Sequence, residues 1–156
     1  MSARIGTDLR SAADLLRKGE VVAIPTETVY GLAANAFDAE AVLKVFTAKA
    51  RPSFDPLIVH IGRTEQLDQV VKELPEGAER LMKTFWPGPL TLVLPKRPEI
   101  PDIVTSGLDT VGVRMPAHPL AQELLSQLDF PLAAPSANPF GYVSPTNAQH
   151  VADQLG

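Results

Sequence analysis

Val21-Val22-Ala23-Ile24-Pro25-Thr26-Glu27-Thr28-Val29-Tyr30-Gly31-Leu32 is the stretch on which the reading of the fold turns. Val21–Ile24 is apolar and rich in β-branched side chains, so it fits a buried strand, and Pro25 stops it because proline has no N–H for a sheet ladder. Directly beyond, three hydroxyl residues and a carboxylate crowd into one turn. Open α/β sheets hold their ligands beyond strand ends, which makes this turn a candidate binding loop. Threonine and glutamate at this spacing also suit a capping box at the start of a helix, and on these residues alone the two readings stand level.

Outward from this stretch the chain alternates. Upstream, Thr7 can cap a helix whose apolar residues Leu9, Ala12, Ala13 and Leu16 recur at helical spacing, with Gly19 closing it. Downstream, Asp38 can cap a helix burying Val42, Val45 and Phe46 that ends near Lys49, because Pro52 disfavours helix before it. Leu57–Ile61 reads as a strand. Two helical segments follow, one carrying Leu67, Val70, Val71 and Leu74, the other Ala78, Leu81 and Met82, before Trp86-Pro87-Gly88-Pro89 interrupts. Leu90–Leu94 and Thr110–Met115 read as strands, and in the second Val111, Val113 and Met115 share one face while Gly112 and Arg114 share the other. A helix with Leu120, Leu124, Leu125 and Leu128, the short strand Leu132–Ala134 and a last helix from Thr146 or Asn147 complete the pattern. Such alternation predicts an α/β layered sheet, and 156 residues fit one domain, 1–156.

Composition narrows the partners. Fourteen Lys and Arg against 18 Asp and Glu give a net charge of -4, so no global field draws the chain to RNA, and any anion site is local. There is no cysteine, which excludes disulfides, thiolate metal sites and a cysteine nucleophile. With only short apolar runs and no signal-like segment in Met1–Arg10, a soluble cytoplasmic protein without a membrane partner is expected.

Three further segments can carry chemistry. Lys49 and Arg51 lie two residues apart at a predicted helix end, suited to grip phosphates or, more simply, to complement the helix dipole. His60 sits in an apolar run, where a hydrogen-bonded core histidine is the more ordinary role. Arg114 in mid-strand needs an anion, supplied by a ligand or by an internal carboxylate such as Glu27. After Ala134, the stretch Pro135-Ser136-Ala137-Asn138-Pro139-Phe140-Gly141-Tyr142-Val143-Ser144-Pro145-Thr146 offers short hydroxyl and amide groups, either as nucleotide donors or as a helix-capping turn. Neither GxxxxGK[ST] nor GxGxxG occurs, no HExxH spacing joins His60, His118 and His150, and no GxSxG elbow is present.

Taken in order, PTETVYGL, KARPSFDPLIVHI, WPGPLTLVLP, VGVRMP and APSANPFGYVSPT resemble the YrdC-like family across nearly the whole chain. The resemblance implies a twisted mixed open sheet flanked by helices, with a concave ligand pocket. It implies an L-threonylcarbamoyladenylate synthase, joining L-threonine, bicarbonate and ATP with loss of pyrophosphate. A tRNA-modifying threonylcarbamoyl transferase complex would act downstream, and direct contact with RNA stays open. By motif, Thr28, His60, Arg114 and Ser136 fall on threonine-side positions. Lys49, Arg51, Asp55, Thr110, Asn138 and Ser144 fall on ATP-side positions, although Asp55 stands where similar sequences often carry an amide. Mg2+ is expected with ATP, without a protein metal cage and without an organic cofactor. No catalytic group is assigned, though Glu27 is near enough to be considered as a general base. Similar chains continue with a further strand and a Ser-Thr segment, so the domain is expected to lack that C-terminal piece. Two competing readings are an RNA-binding module without catalysis and a carbamoyl-handling domain like that of hydrogenase-maturation proteins.

Overall fold

The computed structural model describes residues 8–49 and 56–135. Helix α1 (Leu9–Arg17) begins at Asp8, whose carboxylate accepts from the backbone N–H of Arg10 at 3.0 Å. Asp8 rather than Thr7 therefore caps it, Thr7 lying outside the described residues. Gly19, at φ +82°, ends the following turn in the left-handed region that favours glycine. Strand β1 (Val22–Ile24) then pairs antiparallel with β2 (Gly31–Asn35), so the turn of residues 25–30 joins two strands and opens no helix. The capping-box reading is thereby excluded.

Helix α2 (Ala39–Lys49) is capped by Asp38, which accepts from Glu40 and Ala41 at 3.1 and 3.2 Å, and it buries Val42, Val45 and Phe46 as expected. After β3 (Ile58–His60), a single 3-10 turn at Thr64–Gln66 leads into α3 (Leu67–Val70). That helix stops short of Leu74 because Val71 turns extended and bridges to Lys96, leaving Leu74 exposed. Helix α4 (Ala78–Phe85), strand β4 (Leu92–Pro95), the single turn α5 (Asp102–Thr105), strand β5 (Thr110–Arg114), helix α6 (Pro119–Ser126) and strand β6 (Leu132–Ala133) complete the described fold.

The six strands run in the order β1-β2-β6-β3-β5-β4, a mixed open sheet in which β3 and β5 are parallel and the other pairs antiparallel. Strand alternation sorts the core into two layers. Leu32, Ala34, Val59, Val113 and Ala133 face α2 to α5, whereas Ile24, Ala33 and Leu132 pack with Ala13 and Leu16 of α1 and Leu124 and Leu125 of α6. Helices α1 and α6 cover β1, β2 and β6. His60 and Arg114, on that same side of β3 and β5, are left at the margin of the covered area, and a cavity opens there.

Candidate functional site

Thr26 organises the turn between β1 and β2. Its Oγ1 accepts from the backbone N–H of Thr28 at 3.3 Å and of Val29 at 3.2 Å, and donates to the Val29 carbonyl at 2.6 Å. Because that proton is committed, the 3.0 Å contact between the Thr26 and Thr28 hydroxyls is donated by Thr28. Thr28 Oγ1 in turn accepts from Arg114 Nη1 at 3.3 Å. A directed chain thus runs from the guanidinium through two hydroxyls to a backbone carbonyl.

Arg114 ends β5, its Cα in register with that of His60 on parallel β3. Its Nε donates to the Gly88 carbonyl at 3.1 Å, Nη1 to Thr28 and Nη2 to Glu27 Oε1. Glu27 Oε2 accepts the Ala117 N–H at 2.8 Å, so the carboxylate bridges the side chain of β5 and the backbone just after it. Of the two partners open to Arg114 from sequence, the internal carboxylate is engaged. Yet a guanidinium has five N–H groups, and among the described residues three are used. The other two have no partner among the described residues. With its side chain only 10% exposed, Arg114 would offer them in a setting where charge-assisted bonds are strong.

The 86-89 loop fixes the guanidinium from behind. Gly88 N–H donates to the Met115 carbonyl at 2.8 Å while its own carbonyl receives Arg114. A Cβ at Gly88 would lie 2.5 Å from the Phe85 carbonyl oxygen, so glycine is required by the close approach. Trp86 anchors the loop, its indole N–H donating to the Leu90 carbonyl at 2.8 Å.

His60 is 4% exposed, with its Nδ1 3.3 Å from the Ile58 carbonyl. Burial, and secondly the positive charge of Arg114, lower its pKa to about 4. It is neutral near pH 7 and presents a polar, uncharged surface. Thr26, Val29, Gly31, Ile58, His60, Arg114, Ala134 and Pro135 line the resulting cavity of about 130 Å³. Gly112 lies on the same face of β5 as Arg114, and a Cβ there would meet Thr91 at 3.2 Å, so its bareness keeps the floor low.

Of the other residues expected at the site, Lys49 is 1% exposed at the last turn of α2. Thr110 is exposed at the opposite end of β5, about 13 Å along the strand from Arg114 and outside this cavity. Arg51, Asp55, Ser136, Asn138 and Ser144 lie outside the described residues. Sequence reasoning did not find the Gly88 carbonyl or the Ala117 N–H, because backbone groups leave no trace in residue type. Thr26 was visible only as one hydroxyl among three.

A second, larger cavity of about 480 Å³ opens on the other side of the sheet. Leu67, Met82, Trp86 and Met115 give it an apolar wall, with Asp68, Glu79 and Lys83 on its rim. Among the described residues no group of three His, Cys, Asp or Glu could hold a metal ion, and no helix is long and apolar enough to cross a membrane.

Known proteins resemble the chain closely. The Sua5, YciO and YrdC family model, described as "Telomere recombination", matches residues 14–156. A threonylcarbamoyl-AMP synthase of Pyrococcus abyssi is 58% identical over 147 residues, 94% of this chain, and one of Bacillus subtilis is 55% identical over 148. The chain spans 43% of the length of each relative. The crystal structure of P. abyssi Sua5 complexed with L-threonine superposes with a TM-score of 0.92 at 57% identity, covering 94% of this chain and 43% of that one.

Proposed function

The chain belongs to the Sua5/YciO/YrdC family, and from that premise we propose that it carries the centre that makes L-threonylcarbamoyladenylate from L-threonine, bicarbonate and ATP. The observation that carries this reading is the braced guanidinium of Arg114, with two N–H groups unused among the described residues, in a small cavity that neutral His60 and Thr26 also line and whose Arg114 is tied to Thr28. Two N–H groups suit a carboxylate, and hydroxyls with an uncharged imidazole suit the alcohol of a small amino acid. At about 130 Å³ the cavity is well under the roughly 300 Å³ at which drug-sized pockets begin, so it fits one amino acid and leaves the nucleotide outside.

On this reading Thr28, His60 and Arg114 hold threonine and Ser136 stands between the two ligands. Lys49, Arg51, Asp55, Thr110, Asn138 and Ser144 serve ATP. The threonine amine takes up bicarbonate with loss of water, and a carbamate oxygen then forms a bond to the α-phosphorus as the bond to pyrophosphate breaks. Holding two bound partners in line and neutralising phosphate charge account for such a step without a covalent protein intermediate. Magnesium arrives with ATP as part of the substrate, carried by phosphate oxygens and water. The product passes to a threonylcarbamoyl transferase that modifies tRNA, which places the protein in the compartment where that tRNA is processed.

Pyrophosphate release with ATP, L-threonine and bicarbonate, each omitted in turn, tests the proposal. Release should require all three. Release that persists without threonine overturns it.

A further inference from the structure

We infer that Glu27 is the positioning residue of the carboxylate site, setting the guanidinium of Arg114 before any ligand arrives. The inference rests on reading the cavity as the threonine site and assigns a role within it. Arginine is long and rotamer-rich, and ordering such a side chain at the moment of binding costs conformational entropy that weakens affinity. In this protein the ordering is done in advance from three directions. Gly88 holds Nε, Thr28 holds Nη1, and Glu27 holds Nη2 with a full charge. Glu27 is itself fixed by the Ala117 N–H, three residues beyond Arg114, so one carboxylate locks the turn of residues 25–30 to the end of β5 and the segment after it.

The same geometry bears on Glu27 as general base. Glu27 directs one oxygen at Arg114 and the other at a backbone N–H, so both are oriented by the protein. Each oxygen keeps a second lone pair, so a positioning residue and a general base are told apart by kinetics. On this inference Glu27 acts on substrate through Arg114. The ion pair also leaves the cluster close to neutral in total, so a ligand carboxylate is selected by the direction of the two remaining N–H groups more than by net attraction.

The test compares wild type, Glu27→Ala and Glu27→Gln in the full chain, using L-threonine calorimetry, steady-state kinetics and thermal melting. Glu27→Ala should raise the threonine Kd and KM about tenfold or more, the loss of one charge-assisted contact, with the KM for ATP and kcat at saturating threonine within about threefold of wild type. Glu27→Gln, which keeps the shape and one acceptor, should recover part of the threonine affinity. A collapse of kcat at unchanged threonine KM in Glu27→Gln would assign the base role and overturn the inference. Equal weakening of threonine and ATP in step with a fall in Tm would reduce Glu27 to scaffold and overturn it as well. Wild type that binds threonine while Glu27→Ala binds it equally well overturns this inference alone. Wild type that binds no threonine overturns the reading of the cavity and this inference with it.

Discussion

Two cavities sit back to back at the end of β5, one beside Arg114 and the other beside Met115, and they differ in the opposite sense from what size alone suggests. The larger, about 480 Å³, has an apolar wall of Leu67, Met82, Trp86 and Met115, and its charged groups Asp68, Glu79 and Lys83 are not joined to that wall by any bonded network like the one around Arg114 among the described residues. The smaller, about 130 Å³, is lined by a braced arginine, a neutral buried histidine and the Thr26 hydroxyl that Thr28 links to that arginine. Arg114 ends β5 and Met115 follows it into the cavity on the other side of the sheet, so one residue step moves from directional to largely apolar chemistry. If the smaller cavity takes a small zwitterion as proposed, fixed donors recognise it and volume contributes little.

The sharpest way to break the contrast is Arg114→Ala. Two ligand bonds of about 1.5–3 kcal/mol each are lost, so threonine affinity should fall roughly a thousandfold while ATP affinity changes little, as calorimetry would measure. Unchanged threonine affinity in a folded variant would erase the distinction between the cavities.

Next in size is a pH effect carried by His60. Its folded pKa of about 4 lies below the ordinary histidine value of 6.5, so the folded state resists a proton that the unfolded state accepts. Its stabilising contribution is therefore complete above pH 6.5 and is lost as pH falls toward 4, by roughly 3 kcal/mol from this group. Denaturant melts of wild type and His60→Gln at pH 7 and pH 4.5 should show the variant losing less stability on acidification. Parallel losses would deny that His60 is held neutral.

Gly88→Ala should have a smaller but coupled effect. The added methyl meets the Phe85 carbonyl, costing about 1–3 kcal/mol of stability, and shifts the acceptor of Arg114 Nε. Threonine affinity should drop about tenfold with ATP affinity nearly kept. Smallest is Met82→Ala in the larger cavity, expected to alter either ligand's affinity by no more than about twofold, since a partly exposed thioether makes no directional contact. A large loss of threonine binding there would mean that the two cavities act as one.

What the sequence disclosed follows from how locally each feature is encoded. Asp38 and α2 were readable because the cap and its helix are contiguous, and β5 was readable because period-two alternation isolates Arg114 among valines. Strand β2 was not, since Gly31-Leu32-Ala33-Ala34 lacks β-branched residues and is held extended by its neighbours β1 and β6. Helix α5, a single turn after Pro101, is too short to show a period. Within the site, the types Thr28, His60 and Arg114 stood out, but the pairing of Glu27 with Arg114 spans 87 residues and could be offered only as one alternative. The Gly88 carbonyl that seats Nε was invisible for a simpler reason: every residue has one.

The position of β6 carries a consequence for biogenesis. It is the last described strand in the chain, yet it lies in the middle of the sheet and joins the β1–β2 hairpin to the β3-β5-β4 half. As the polypeptide emerges from the ribosome, each half can form its own ladders while two unsatisfied edges wait for Leu132 and Ala133. Between the synthesis of β5 and that of β6 the two halves can be paired but separate, and their closure is a long-range event that leaves those edges open to mispairing until it happens.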